Sequence, residues 1–163
     1  MAKRPPPSLR FLFAHPAHFI ACGCGSGLSM WAPGTVGTLF AWMTYVLMKP
    51  HIDDLQFGIL LGIAYLVGIW VIQKTGRALG EPDHGSIVWD EIVPFWAVLL
   101  LTPPLFMWQL TAFCLFRFFD ITKPQPARWF DRNMKNGFGV MADDAVAAFY
   151  TLLVVAALKW MLG

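Results

Sequence analysis

Ile87-Val-Trp-Asp-Glu-Ile-Val-Pro-Phe-Trp-Ala-Val-Leu-Leu-Leu101-Thr-Pro-Pro104-Leu-Phe-Met-Trp-Gln-Leu-Thr-Ala-Phe-Cys-Leu-Phe-Arg-Phe-Phe119 is the stretch whose reading decides the fold. It is apolar almost throughout, and it is too long for one ordinary crossing of a membrane, for which about 20 residues suffice. Thr102-Pro103-Pro104 interrupts it near the middle. Two successive prolines remove two amide donors and clash with the preceding helical turn. The chain is therefore expected to turn there and form a helical hairpin, rather than to run straight through.

Working outward, three more stretches read as membrane-embedded: Val36–Met48, Phe57–Gln73 and Ala145–Leu162. The first is short for a span and would have to tilt or thin the bilayer. The whole chain of 163 residues is 57% hydrophobic and only 13% charged. Soluble domains carry about 25% charged residues, so a bilayer is the natural solvent. The expected architecture is an all-α, compact polytopic membrane bundle of about five crossings. It forms a single integral membrane domain over 1–163, with 1–20 as an uncleaved cytoplasmic or interfacial segment. Its run Phe11–Ala14 is broken by His15-Pro16, unlike the unbroken core of a secretory signal.

Charge placement supports the hairpin. With it, Lys3, Arg4, Arg10, Lys74, Arg77, Arg117, Lys123, Arg128, Arg132 and Lys135 share one face, and Lys49 and Lys159 fall on the other. Basic residues accumulate on the cytoplasmic side of membrane proteins. The N-terminus is thus expected inside and the C-terminus outside. Eight of the ten acids come to the same cytoplasmic face, and only Asp53 and Asp54 lie across from them. The net charge of +2 gives no argument for nucleic acid. Three cysteines without framework spacing argue against a disulfide scaffold, and Cys22-Gly-Cys24 lacks the spacer of a zinc site.

Two acidic pairs stand out. Asp90-Glu91 is flanked by apolar residues in His84-Gly-Ser-Ile-Val-Trp-Asp-Glu, and Asp143-Asp144 follows Gly137-Phe-Gly-Val-Met-Ala. The ordinary reading of either pair is a solvated or capping helix start. Helix capping needs only one acid, however, and ionisable groups at a membrane boundary are costly unless paired or metal-bound. Together the pairs would make an oxygen-rich site suited to Mg²⁺, with Mn²⁺ as a substitute, rather than to zinc.

A third element, Arg117-Phe-Phe-Asp120-Ile-Thr-Lys123-Pro with Arg128 and Asp131 beyond, mixes cations and acids in the manner of a phosphate clamp. A plain basic loop against anionic lipid is its ordinary alternative. A fourth, Gly23-Cys-Gly-Ser-Gly-Leu-Ser-Met-Trp-Ala-Pro-Gly-Thr35-Val-Gly-Thr38, is rich in glycine and hydroxyls. It can donate backbone amides to phosphate or simply allow close helix packing. No Cys is followed six residues on by Arg, and neither Asp-x-Asp nor Gly-x-Ser-x-Gly occurs. Those absences argue against three other hydrolase chemistries.

Taken in chain order, the glycine-rich segment with Ala32-Pro-Gly-Thr-Val-Gly-Thr38, the His84–Glu91 segment, Arg117–Pro124 with Arg128-Trp-Phe-Asp-Arg-Asn133, and Gly137–Asp144 resemble the bacterial phosphatidylglycerophosphatase A family over about residues 20–150. Met30 stands where the family usually has Pro, and Pro94 where it has Gly. The resemblance implies a Mg²⁺-dependent lipid phosphatase of the bacterial inner membrane, with phosphatidylglycerophosphate as its substrate and its active site on the cytoplasmic face.

On this reading Asp90, Glu91, Asp143 and Asp144 hold metal. Asp120 orients the phosphate ligands or completes the metal shell, and His84 is the candidate acid for the leaving group. Lys123, Arg117, Arg128, Thr35 and Thr38 bind the phosphate. A cation-coupled transporter or a non-catalytic lipid-binding protein is the rival class. Transport would call for polar residues at mid-membrane, where the inferred crossings carry almost none.

Overall fold

The computed structural model describes residues 5–162, and among them the chain is helical with no strand. Lys3 and Arg4, counted above among the cytoplasmic cations, lie outside the described residues. Two short helices, α1 (Leu9–Ala14) and α2 (Pro16–Ala21), lead through the irregular turns of Gly23–Leu28 into α3 (Pro33–Met48). Then come α4 (Asp54–Leu79), α5 (Trp89–Leu101), α6 (Phe106–Thr122), the short α7 (Ala127–Asn133) and α8 (Gly137–Leu162).

The hairpin forms where the prolines demand it. α5 ends at Leu101 and α6 starts at Phe106. The start of α5 meets the end of α6 through Glu91 and Arg117, so the chain has turned back on itself. The same logic orients the other helices. Gly137 at the start of α8 donates its amide to Gln73 near the end of α4 (2.8 Å). Trp42 on α3 donates to Gln109 near the start of α6 (2.8 Å), one side of the bundle away from the Arg117–Thr38 contact. The starts of α3, α5 and α8 and the ends of α4 and α6 therefore share one end of the bundle. Lys49, paired with Asp54 at 2.9 Å, sits at the other.

Local chemistry sets the boundaries. α4 opens with a capping box, in which Asp53 accepts from the Gln56 amide and Gln56 returns a bond to the Asp53 amide. It closes on Gly80, whose φ of 70° is left-handed. It therefore runs beyond the Phe57–Gln73 span read from the sequence and carries Lys74 and Arg77 on its last turns. α8 likewise starts at Gly137, well before the expected Ala145. Asn136 caps it by accepting from the Gly139 amide (2.9 Å). Glycine is required at both positions for packing: a side chain at Gly137 would meet the Ile69 carbonyl, and one at Gly139 the Met134 carbonyl.

α5 is the centre of the bundle, with Ile92, Val93, Phe95, Trp96, Val98 and Leu99 buried against its neighbours. Trp96 donates its indole N–H to the Ala41 carbonyl on α3 (2.9 Å). Pro94 is accommodated inside α5, which continues to Leu101. Its missing amide leaves the Asp90 carbonyl without its intrahelical donor.

α4 and α8 are long and apolar enough to cross a membrane, yet only 28% and 22% of their most apolar windows are buried. Ile59, Ile63, Leu66 and Trp70 of α4, and Phe149 and Leu153 of α8, face outward. A core helix of a soluble protein would bury such residues. At about 1.5 Å per residue, the 13 residues of α5 rise roughly 20 Å, and the 16 of α3 about 24 Å.

Candidate active site

The end of the bundle that gathers the helix termini also gathers the acids. Asp90 and Glu91 ride on the first turn of α5, and no side chain caps that helix. Asp143 and Asp144 lie well inside α8, since it starts at Gly137, so neither serves as its cap. The capping explanation of both pairs therefore fails, and their burial needs another reason. Asp90, Asp143 and Asp144 are each about 95% buried.

Two cations thread between them. Arg117, on the last turns of α6, reaches Glu91 at 3.0 Å, contacts Asp120 one turn on, and donates to the Thr38 hydroxyl at 3.3 Å. Lys123 ends α6. The helix cannot continue into Pro124, and Lys123 takes a left-handed φ of 45°, uncommon for a residue with a side chain. That conformation turns its ammonium onto Asp143, with Asp131 at 3.1 Å and Asp83 at 3.9 Å. Burial by itself would lower the Lys123 ammonium. Its hydrogen bond to Asp143 and the charges of Asp143, Asp83 and Asp144 outweigh burial and hold it well above the ordinary lysine range.

The acids still outnumber their counter-ions. Asp144 lies within electrostatic reach of Asp120, Asp90, Asp143 and Glu91. One buried oxygen on each of Asp90, Glu91, Asp143 and Asp144 has no hydrogen-bond partner, and neither does Arg117 Nε. Buried polar atoms are normally satisfied, and unpaired buried charge is expensive. Among the described residues no three His, Cys, Asp or Glu side chains close into a ready ligand set. The donor chemistry nevertheless fits a hard divalent cation: carboxylate oxygens only, two from α5 and two from α8, carrying surplus negative charge.

The other expected site residues fall variously. Thr38 reaches the cluster through Arg117 and also donates to the Gly34 carbonyl (2.9 Å). Thr35 is half-buried at the start of α3. Arg128 turns to the Thr122 carbonyl at 3.3 Å rather than to an acid. His84 is buried, and its Nδ1 accepts from the Ser86 amide (3.2 Å), with no described contact to the carboxylates. Asp83 and Asp131, not among the expected site residues, join the cluster through Lys123. Asp131 alternates with basic residues, which reads equally well as an ordinary surface loop, and Asp83, in Glu81-Pro-Asp-His84, carries no such pattern.

The glycine segment packs closely. A side chain at Gly27 would meet the Ser86 carbonyl, one at Gly37 would press on Val88, and one at Gly34 would run into the Glu91 carboxylate. These glycines let α3 and its leading turns lie directly on the segment that carries Asp90 and Glu91.

The profile of the family described as Phosphatidylglycerophosphatase A matches residues 19–159. A Haemophilus influenzae protein named Phosphatidylglycerophosphatase A is 45% identical over 158 residues, covering 96% of this chain and 97% of its own. One of the same name from Escherichia coli is 37% identical over 157 residues, with 94% and 91% covered. A Bacteroides thetaiotaomicron protein provisionally named a phosphatidylinositol-3-phosphatase is 38% identical over 151 residues, with 88% and 94% covered. No solved structure matches the chain.

Proposed function

The chain belongs to the phosphatidylglycerophosphatase A family, and on that premise we propose that it hydrolyses the terminal phosphomonoester of phosphatidylglycerophosphate to phosphatidylglycerol and phosphate. The observation that carries this reading is the set of four partnerless, buried carboxylate oxygens on Asp90, Glu91, Asp143 and Asp144, flanked by Arg117 and Lys123. A phosphatase for a lipid needs a polyanion site at head-group depth. This site lies at one end of a bundle whose outer surface is apolar.

Asp90, Glu91, Asp143 and Asp144 would hold Mg²⁺, or Mn²⁺ in its place. Such an ion neutralises phosphate charge and makes water a better nucleophile. Arg117 and Lys123, now balanced against carboxylates, would bind the non-bridging phosphate oxygens. Asp120 fixes the Arg117 guanidinium, and Thr38 adds a hydroxyl beside it. Thr35 and Arg128 would line the approach from the first turns of α3 and α7. His84, next in sequence to Asp83, is the candidate donor of the proton that the departing glycerol oxygen needs.

Helices α3, α4, α5, α6 and α8 would cross the bacterial inner membrane, the shorter ones where the bilayer thins, N-terminus inside, with this end at the cytoplasmic face. The outward apolar faces of α4 and α8 and the placement of Lys49 and Asp54 at the far end support that topology. The decisive assay is phosphate release from phosphatidylglycerophosphate in detergent, with Mg²⁺ and with EDTA, alongside phosphatidylinositol 3-phosphate as competing substrate. Release that requires the divalent ion and favours phosphatidylglycerophosphate is expected. Absence of metal-dependent release, or preference for the inositol lipid, overturns the assignment.

A further inference from the structure

Away from the acid cluster, α2 and α4 flank an open, mainly apolar recess of about 570 Å³ lined by His18, Trp70, Gln73, Lys74, Arg77 and Ala78, with the two cations at its rim. We propose that this recess binds the phosphate of an anionic phospholipid whose acyl chains lie along the outer face of α4. The proposal rests on the membrane reading above but not on the catalytic one.

The charge balance here is the reverse of that in the acid cluster. Among the described residues no acid forms an ion pair with Lys74 or Arg77. Lys74 Nζ instead stands 2.7 Å from His15 Nε2, and it lies 5.4 Å from the centre of the Trp70 ring. His15 Nδ1 already accepts the Ala17 amide at 3.0 Å, as the cap of α2. A neutral imidazole has one acceptor and one donor nitrogen. His15 can therefore accept from the Ala17 amide or from the Lys74 ammonium but not from both, so one of these two donors lacks an acceptor there. An anionic oxygen beside Lys74 supplies a further acceptor for its ammonium. His18, buried below, is held beneath the ordinary histidine range by burial and by the charges of His15 and Lys74. The recess is thus rich in donors and short of anions.

The surroundings identify the anion as a lipid's. Ile59, Ile63, Leu66 and Trp70 recur at helical spacing along the exposed face of α4, and Lys74 and Arg77 continue the same stripe. A tryptophan followed one turn later by cations marks the depth where hydrocarbon gives way to head groups. Basic recesses between helices on the cytoplasmic side are suited to anionic lipid heads. A phosphate seated at Lys74 and Arg77 has an apolar track directly beneath it for its chains. A soluble phosphate would make no use of that track.

The test uses full-length protein in neutral detergent, titrated with phosphatidylglycerol or phosphatidylcholine carrying brominated acyl chains, which quench nearby tryptophan. The difference between wild type and Trp70→Phe isolates quenching at α4. Phosphatidylglycerol is expected to quench Trp70 with about thirtyfold higher affinity than phosphatidylcholine, the effect of two cations at a membrane surface. Lys74→Gln/Arg77→Gln should abolish the preference, and Arg77→Gln alone, at an exposed position, should reduce it about fivefold. Equal quenching by the two lipids overturns the proposal, as does a preference that survives the double substitution. Inorganic phosphate at matched ionic strength should leave the preference intact. If it removes the preference, the recess takes a soluble anion and the lipid assignment falls.

Discussion

Arg117 Nη1 lies 3.0 Å from Glu91 Oε1, joining the last turns of α6 to the first turn of α5, and the same nitrogen reaches Thr38 on α3 at 3.3 Å. Both side chains of the ion pair are largely buried, at 15% and 12% exposure. One guanidinium thus ties three helices together at the site while balancing an acid that Gly34 admits at contact distance. Removing one partner of a buried pair typically costs about 3–5 kcal/mol. Arg117→Ala should lower the melting temperature in detergent markedly, and Arg117→Lys should recover only part of it, because an ammonium cannot span the same partners. An unchanged melting curve for Arg117→Ala would show that the pair is no structural tie.

Asp90→Asn and Asp144→Asn separate catalysis from folding. Each carboxylate stands among like charges without a compensating partner for one of its oxygens. Neutralising either should leave stability in EDTA equal to wild type or higher, while phosphate release falls below detection. Mg²⁺ should raise the wild-type melting temperature, since a ligand at about 100 times its Kd contributes ~2.7 kcal/mol. That gain should vanish in both variants. A variant that keeps near-normal turnover is no ligand.

Lys123 offers a test with opposite signs in one residue. Its left-handed φ of 45° is costly with a side chain and free for glycine. Lys123→Gly should therefore fold better than Lys123→Ala by about 1 kcal/mol. Both should lose activity alike, because both remove the ammonium from Asp143 and Asp131. Denaturant midpoints and phosphate release measured on the same preparations check the two halves independently.

Gly34→Ala should inactivate through contact rather than charge. The added methyl would meet the Glu91 carboxylate, displacing either that side chain or the start of α3. Phosphate release should fall by at least about tenfold. Gly58→Ala, where nothing lies within 4 Å, is the matched control and should leave activity unchanged.

His18 sets a pH dependence. Its imidazole is held below the ordinary value first by burial and then by His15 and Lys74, and its Nδ1 lies 3.0 Å from the Thr75 hydroxyl. The unfolded chain takes up this proton near pH 6.5, before the folded chain does. Stability should be intact above about pH 6.5 and fall as the pH drops below it. His18→Gln should flatten that fall. Parallel curves for the two proteins between pH 7.5 and 5.5 would assign the acid sensitivity elsewhere.

Much of this architecture was legible in the residues. Pro103-Pro104 compelled the break between α5 and α6, because neither residue can donate to the preceding turn. That Asp90-Glu91 and Asp143-Asp144 are more than helix caps was legible because no cap needs two acids, and the structure brings the two pairs together. The start of α8 was not. The apolar span read from the sequence begins at Ala145, beyond Gly137 and Gly139, whereas both glycines belong to α8 and bring its start against the Ile69 and Met134 carbonyls. Asp83 and Asp131 were not separable from an ordinary loop until the left-handed Lys123 swung onto them. The confrontation of His15 with Lys74 joins residues 59 positions apart, a distance over which sequence pattern carries no information.

By itself the sequence determined that this is an all-helical chain with a hairpin at Thr102–Pro104 and acids gathered toward one end. Local stereochemistry and the cost of burying charge act on neighbouring residues, so they can be read in order. Only the tertiary structure decided which apolar helix is the core. α5 and α4 are both apolar on every side, yet α5 is enclosed by its neighbours and α4 turns Ile59, Ile63 and Leu66 outward. Composition cannot separate those roles, because hydrocarbon and protein interior are nearly the same solvent for leucine or isoleucine. Packing alone assigns α5 to the centre, and with it places Asp90 and Glu91 against Arg117 and within reach of Asp144.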